Sequence, residues 1–154
     1  MDHTDTIGIG ADHAGFSLKE ILKTHLQKRG FAVKDYGTFS DQSVDYPDYA
    51  HPLAADINSK AIGKAIVLCG SGNGVNMTVN KYPGVRSALC WSEQIAILAR
   101  RHNDANICAL PARFITEPEA QLIVDTFLDT PFDGGRHQRR VEKIKSGGPG
   151  SCYS

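Results

Sequence analysis

Five short apolar runs, rich in β-branched residues and separated by helical patterns, constrain the fold of this chain more than any other feature. In chain order they read "TIGIGA", "FAVKDYG", "KAIVLCG", "VRSALCW" and "NICALPA". Between the first two, Leu18, Leu22 and Leu26 recur at the four-residue spacing of a helix face. Strands that alternate with helices form a parallel sheet with helices packed on both faces. The sequence therefore predicts an α/β protein built on such a sheet.

Local signals mark the ends of the predicted helices. Ser17 and Glu20 have the spacing of a capping box, in which two side chains satisfy free backbone N–H groups at a helix start. Thr116 and Glu119 repeat this spacing before a later helix. Gly30 follows the first helical pattern, at the position where glycine commonly ends a helix.

The length and charge describe an ordinary globular domain. The chain has 154 residues, with 17 Lys and Arg against 17 Asp and Glu. We predict a single domain over residues 1–145 and a disordered tail, "SGGPGSCYS", over residues 146–154. The balanced charge favours neither a nucleic-acid nor a membrane partner, so an anionic ligand must be held by a local cluster.

The sequence predicts neither a secretory signal nor a membrane span. It contains no apolar run near the ~20 residues that a spanning helix needs, and its N-terminus lacks a basic stretch followed by an apolar one. Its cysteines, which include no C-x-x-C pair, are Cys69, Cys90, Cys108 and Cys152. Unpaired cysteines of this kind are typical of a reduced intracellular protein, so we expect the protein in the cytoplasm.

Polar and titratable residues follow the predicted strands, and ligands of open α/β sheets bind at the carboxyl ends of the strands. We therefore expect these residues to gather at one edge of the sheet. The candidates are Asp12 and His13 after the first strand, the loop "CGSGNG" after the third, His102 and Asn103 beyond the fourth, Arg113 after the fifth, and Arg136 and Arg140 on the last helix.

Each candidate also has an ordinary structural explanation. Asp12 has the right place to cap the following helix, and the histidines and arginines suit a solvated surface. A metal site is the weaker interpretation, because H-x-x-x-H, H-x-H and C-x-x-C spacings are all absent from the sequence.

The glycine loop beside Cys69 matches neither of the common nucleotide-binding motifs. It lacks the Lys of a P-loop, and Val75 stands where a dinucleotide fingerprint has its third glycine. Glycines at a helix start do let backbone N–H groups converge on an anion. Cys69 itself is open to four interpretations: a packed apolar residue, a redox thiol, a metal ligand or a catalytic base.

An anion-binding loop beside a cysteine, with arginines elsewhere, indicates two sites of negative charge. Arginines hold a permanent phosphate with charge-assisted hydrogen bonds. Loop N–H groups stabilise a charge that develops during a reaction. A sugar phosphate that passes through an enediolate carries both kinds of charge.

Six motifs in register resemble one enzyme family. The motifs "GADHAGF", "DYPDYA", "CGSGNG", "NKYPGVR", "RRHNDAN" and "GGRHQRR" are similar to those of the type B ribose-5-phosphate isomerases, in the family shared with galactose-6-phosphate isomerase. The resemblance runs from Ile7 to Ile144. It implies a Rossmann-like three-layer α/β/α sandwich with a five-stranded parallel sheet.

The resemblance also implies an activity and an assembly. The activity is the reversible isomerisation of ribose 5-phosphate to ribulose 5-phosphate, a step of the pentose phosphate pathway, without a metal or an organic cofactor. The assembly is a homodimer, or a dimer of such dimers, in which each active site is built from two subunits.

By the same resemblance, Cys69 corresponds to the base that moves a proton between C2 and C1. The other implied roles are facing the enediolate for Gly70, Ser71, Gly72, Asn73 and Gly74, ring opening for Asp12 and His102, phosphate binding for His13, Arg113, Arg136 and Arg140, and sugar binding for Tyr46 and Asn103.

Two positions refine the resemblance. A second subgroup of the family lacks the cysteine and has a glutamate base at the position of Val75, so this chain resembles the cysteine subgroup. Pro111 replaces a glycine expected two residues before Arg113, and it stiffens that loop.

Three other functions are consistent with parts of the sequence. An isomerase of a six-carbon sugar phosphate, allose 6-phosphate or galactose 6-phosphate, keeps the chemistry and needs a longer pocket. A thiol-based redox protein uses Cys69 alone. A non-catalytic sugar-phosphate-binding module keeps only the anion sites.

Overall fold

A computed structural model describes residues 6–146 and shows a five-stranded, all-parallel sheet. The strands are β1 (Thr6–Ala11), β2 (Ala32–Asp35), β3 (Lys64–Cys69), β4 (Ser87–Leu89) and β5 (Ile107–Pro111). Their order across the sheet is β2-β1-β3-β5-β4, and each neighbouring pair is parallel. The predicted sheet is confirmed. Apart from Ser146, the predicted tail lies outside the described residues, as does Cys152.

Helices cover both faces of the sheet. They are α1 (Phe16–Lys28), α2 (Tyr46–Asn58), α3 (Asn73–Val79), α4 (Glu93–Arg101), α5 (Glu117–Asp129) and α6 (Arg136–Ser146). One apolar core contains residues of α1, α4 and α5, and a second contains residues of α2 and α3. The three-layer α/β/α sandwich implied by the resemblance is therefore confirmed. Among the described residues, none of the helices combines the length and the apolar character needed to cross a membrane.

Side chains of the strands alternate between the two cores, as the period of a β-strand requires. In β3, Ile66 and Leu68 pack with α1 and α5, whereas Ala65, Val67 and Cys69 pack toward α2 and α3. The last residue of this alternation, Cys69, therefore ends the strand on the α2–α3 side.

One of the two predicted capping boxes is present. The Thr116 hydroxyl accepts from the Glu119 N–H, and the Glu119 carboxylate accepts from the Thr116 N–H, both at 3.2 Å. The box predicted for Ser17 and Glu20 is wrong, because α1 begins earlier, with Gly15 as its N-cap. A carboxylate from the preceding loop, that of Asp12, already accepts the N–H groups of Ala14 and Gly15.

The helix end predicted at Gly30 is confirmed. Gly30 follows the C-cap Arg29 and has φ +95°, a left-handed conformation that glycine adopts at little cost.

The strand order places a crevice beside the centre of the sheet. From β1 the chain passes to β2 on one side, and the following strand, β3, lies on the other side of β1. The connections after β1 and β3 therefore diverge at the carboxyl edge, where α/β proteins commonly bind ligands. Asp12 and Gly70 are the first residues of these two connections.

Candidate functional site

Asp12 begins the β1–α1 connection and is only 6% exposed. Its N–H donates to the Leu68 carbonyl at 3.3 Å, which fixes it beside the end of β3. Its Oδ1 accepts from the N–H groups of Ala14 at 3.0 Å and Gly15 at 3.2 Å. The carboxylate thus braces the turn before α1 and does not cap the helix, whose N-cap is Gly15; both bonds of the carboxylate use the same oxygen.

The glycine loop, which follows β3, has a backbone conformation at Gly72 that strongly favours glycine. Gly72 has φ +77° and is the N-cap of α3. A Cβ atom there would collide with the Leu89 side chain and lie 3.1 Å from the Leu110 carbonyl carbon. The loop is therefore packed directly against β4 and β5. Within it, the Ser71 hydroxyl accepts from the Asn73 N–H at 3.2 Å.

Cys69 stands at the start of this loop as a free thiol, 5% exposed. The other described cysteines, Cys90 and Cys108, are also free and are completely buried. Burial, followed by the contact with Cys90, raises the pKa of the Cys108 thiol well above its ordinary value. Of the described thiols, only Cys69 directly precedes the loop glycines, and the other two pack in the core on the opposite face of the sheet.

Arg113 is held against the glycine loop by the backbone that follows β5. The Ala112 N–H donates to the Cys69 carbonyl at 2.9 Å, and the Arg113 N–H donates to the Gly70 carbonyl at 3.0 Å. A Cβ atom on Gly70 would lie 3.0 Å from Nη1 of Arg113, so the guanidinium covers this glycine. Pro111 pairs with Cys69 in the sheet register and lacks only an N–H that this turn does not use.

Tyr46 packs on the end of the glycine loop, and His13 is hydrogen-bonded to the segment just before Tyr46. Tyr46 is the first residue of α2, and its ring packs on Gly74, where a Cβ atom would lie 2.5 Å from Cζ. Two residues earlier, the Val44 N–H donates to Nδ1 of His13 at 3.1 Å. Because Nδ1 accepts this bond, a neutral His13 carries its proton on Nε2.

Four of the predicted site residues, His102, Asn103, Arg136 and Arg140, lie elsewhere. His102 is the C-cap of α4, and the chain then enters β5 at its amino end, where the Asn106 N–H donates to the Arg86 carbonyl at 2.9 Å. The expectation that all candidates meet at one edge of the sheet is wrong for this group within a single chain. A helix that follows a parallel strand returns the chain to the opposite edge, so residues at its end lie there.

The second group contains a contact that the sequence did not reveal. The imidazoles of His102 and His137 are stacked, with centroids 4.2 Å apart and planes inclined by 12°. Their neighbour Asp133 accepts from Nε of Arg101, at 3.1 Å to each carboxylate oxygen. This hydrogen bond is the main reason that the pKa of Asp133 lies below its ordinary value.

His102, Asp133 and His137 have donor atoms within 4.8 Å of one another and are of types that bind transition metals. Arg101, however, already occupies both oxygens of the carboxylate. The pKa of His137 is lowered by desolvation first, and then by the charges of His102 and Arg136. The surroundings are thus cationic and suit an anion better than a metal ion.

Sequence reasoning named the neighbours of His137 and missed His137 itself. It lies in "GGRHQRR", between two arginines that were selected for their four-residue spacing. Its contact with His102 spans 35 positions, which no local spacing rule detects.

The chain matches known proteins over nearly its whole length. A sequence model described as ribose/galactose isomerase matches residues 7–144. Ribose-5-phosphate isomerase B of Escherichia coli K12 is 41% identical over 138 residues, which cover 90% of this chain and 93% of that protein.

Solved structures share the fold as well as the sequence. Ribose 5-phosphate isomerase from Thermotoga maritima has a TM-score of 0.89 and 51% identity, covering 91% of this chain and 97% of that one. Ribose-5-phosphate isomerase B from Mycoplasma genitalium, solved with bound ribulose-5-phosphate, has a TM-score of 0.87 and 44% identity, covering 91% and 93%. The chain belongs to the ribose/galactose isomerase family.

Proposed function

We propose that this protein is an aldose–ketose isomerase that interconverts D-ribose 5-phosphate and D-ribulose 5-phosphate through a cis-enediolate, with Cys69 as the base. The observation that carries the proposal is the placement of Cys69 at the carboxyl end of β3, directly before the glycine loop that Arg113 covers. The relatives named ribose-5-phosphate isomerase B, one of them with ribulose-5-phosphate bound, support this substrate.

The first step opens the furanose ring. Asp12 and His102 are the proposed acid–base pair: one removes the proton of the anomeric hydroxyl, and the other gives a proton to the ring oxygen. The ring C–O bond breaks and the C1 aldehyde forms. The Asp12 carboxylate suits this task because its two loop hydrogen bonds hold it in place through Oδ1.

The second step moves a proton from C2 to C1. Cys69 as thiolate removes the C2 proton while the aldehyde oxygen, O1, gains negative charge. The proton of the C2 hydroxyl then passes to O1, and the Cys69 thiol returns its proton to C1 as the C2 oxygen becomes a carbonyl. A well-placed general base contributes roughly 10²–10⁴-fold to the rate. The N–H groups of the glycine loop are the proposed donors to the negative charge of the enediolate. Each such donor stabilises the transition state by roughly 3–4 kcal/mol.

The assembly in the proposal is a homodimer with shared active sites, or a tetramer built from such dimers. Supporting it, the ring-opening and phosphate residues of one chain are divided between the two edges of its sheet. In a two-fold symmetric dimer, one surface of each chain meets a different surface of its partner twice, which forms two complete sites. The proposed location is the cytoplasm, where the free thiols stay reduced.

Activity on ribose 5-phosphate and on allose 6-phosphate, both with EDTA present, tests the function. We expect turnover of ribose 5-phosphate that EDTA does not change. Activity on allose 6-phosphate alone would show that the substrate is a six-carbon sugar phosphate. Activity on neither compound would refute the proposed isomerase function.

Cys69→Ala tests the base. We expect it to abolish turnover while ribose 5-phosphate binding, measured by calorimetry, is retained. Cys108→Ala is the matched control, because it also removes a completely buried thiol but one in the core on the opposite face of the sheet from Cys69, and we expect it to keep turnover. Wild-type turnover in Cys69→Ala would assign the base to another residue.

Mixed subunits test the shared site. Cys69→Ala and Arg140→Ala are mixed in equal amounts, allowed to exchange subunits and assayed at low substrate concentration. If Cys69 and Arg140 of one site come from different chains, random pairing restores about a quarter of the wild-type sites. No restored activity would place both residues of a site in the same chain.

A further inference from the structure

We propose that His137 is a positioning residue for His102: its stacked imidazole fixes the ring of His102 in the orientation that opens the furanose. This inference rests on the proposed function, in which His102 takes part in ring opening. His137 itself is assigned no contact with the sugar.

The His102 side chain needs an external support because of its place in the fold. It is the C-cap of α4, where the regular helix stops, and its backbone N–H makes a helical bond to the Leu98 carbonyl at 2.9 Å. The terminal torsion of a histidine has a broad energy profile, so the backbone alone leaves the ring plane loosely defined. A flat group 4.2 Å away and only 12° from parallel restricts that rotation.

The support is anchored independently of the stack. Asp133 donates its N–H to the Arg101 carbonyl at 3.0 Å, and its carboxylate binds Nε of Arg101. Gly134 and Gly135 then turn the chain with φ +67° and +55°, and the His137 N–H donates to the Gly134 carbonyl at 3.0 Å. Asp133, which precedes the turn, is thus tied to the end of α4, and the turn brings His137 onto His102.

The charges around His137 suit a stacking role. Desolvation and the positive charges of His102 and Arg136 lower its pKa, which favours the neutral ring at neutral pH. A neutral imidazole is a flat polarisable surface without the repulsion that a second positive charge would bring to a cationic site. The α6 helix then has two functions, since Arg136 and Arg140 on it bind phosphate and His137 orients His102.

The two substrates separate positioning for ring opening from positioning for proton transfer. Ribose 5-phosphate is mainly cyclic and must be opened. Ribulose 5-phosphate has its O5 blocked by phosphate, so it cannot form a furanose and presents an open chain. Exchange of its C1 proton with D₂O, followed by NMR, therefore reports the Cys69 step without ring opening.

The test compares His137→Ala with His137→Phe. We expect His137→Ala to lower kcat/KM for ribose 5-phosphate about ten- to a hundredfold, the loss typical of a misplaced catalytic group. Exchange at C1 of ribulose 5-phosphate stays within about twofold of wild type. His137→Phe keeps a flat ring and restores most of the loss. Arg139→Ala, an exposed change on the same helix, is the control and alters neither rate.

Different outcomes would refute the positioning role of His137 and the proposed isomerase function. Equal losses in both assays, unchanged ribose 5-phosphate turnover in His137→Ala, or a His137→Phe variant as impaired as His137→Ala would each overturn the positioning role. A wild-type protein inactive in both assays would instead overturn the proposed function. If His137→Ala does not fold, the same comparison is made with His137→Gln, which retains a polar side chain but no ring.

Discussion

Replacing Gly72 with alanine tests how closely the glycine loop is held against the sheet. The left-handed conformation at Gly72, φ +77°, costs a residue with a Cβ atom roughly 1–2 kcal/mol. The new methyl group also meets the Leu89 side chain and two backbone atoms of Leu110 at 3.1 Å. Backbone in a central strand cannot move aside, so overpacking adds roughly 1–3 kcal/mol. The free energy of unfolding should fall by roughly 2–5 kcal/mol in total.

Gly30→Ala is the matched control because it isolates the dihedral cost. Gly30 also has positive φ, +95°, but no atom lies within 4 Å of a Cβ placed there. In a domain of this size, 1 kcal/mol shifts Tm by roughly 2–4 °C. Gly72→Ala should therefore unfold roughly 2–12 °C below Gly30→Ala in a thermal scan. Its kcat/KM also falls, since the loop beside Cys69 moves, whereas Gly30→Ala keeps wild-type activity.

Equal Tm values for the two variants would refute the reasoning. They would mean that the loop relaxes without cost and that the contacts of Gly72 with Leu89 and Leu110 do not hold it in place. A Gly72→Ala protein that is destabilised as expected but fully active would separate loop packing from catalysis. It would count against a role for the loop N–H groups.

The remaining predictions concern the phosphate and a buried ion pair. Arg140→Ala should raise KM for ribose 5-phosphate more than it lowers kcat, because a phosphate remote from the reacting carbons loses a charge-assisted bond; steady-state kinetics with unchanged KM would contradict this. Asp35→Asn should cost roughly 1.5–3 kcal/mol in urea unfolding at pH 7, because it removes the 2.7 Å charged partner of the fully buried Lys19 ammonium and leaves it with the Glu20 carboxylate at 2.9 Å; a loss below ~0.5 kcal/mol would be evidence against the pair. Burial raises the pKa of Asp35, but hydrogen bonds from Lys19, Gly37 and Lys23 outweigh burial and leave that pKa below its ordinary 3.8. A lowered pKa contributes stability above the ordinary value and loses it as pH falls through the folded value, so the difference between wild type and Asp35→Asn should narrow below about pH 4 in unfolding curves.

The parts of the fold that depend on local pattern could be predicted from the sequence. The apolar runs gave the strands because a strand buried on both faces is apolar at nearly every position, as in "KAIVLC". The capping box of Thr116 and Glu119 could be predicted because its two partners are only three residues apart. The same rule failed at Ser17, because the N-cap of α1 is Gly15 and a carboxylate from the previous loop holds the turn that leads into the helix.

The candidate site depends on contacts that are distant in sequence, and these could be predicted only in part. The strand-end rule correctly brought Asp12, the glycine loop and Arg113 to one edge. It misplaced His102 because that residue lies at the C-terminal end of α4. The helix begins at the carboxyl edge of the sheet and returns the chain to the opposite edge. The stack with His137 depends on how α6 returns to α4 and has no counterpart in the residue spacing.

The division of the candidate residues between two edges of the sheet has a consequence for regulation by concentration. A single folded chain, on the shared-site proposal, holds only part of the residues that complete an active site. On the shared-site proposal, specific activity measured at equilibrium falls on dilution below the dissociation constant of the dimer, while circular dichroism stays unchanged. Subunit association then controls catalysis. A substitution in the dimer interface, far from the sugar, abolishes activity if it keeps two correctly folded chains from associating.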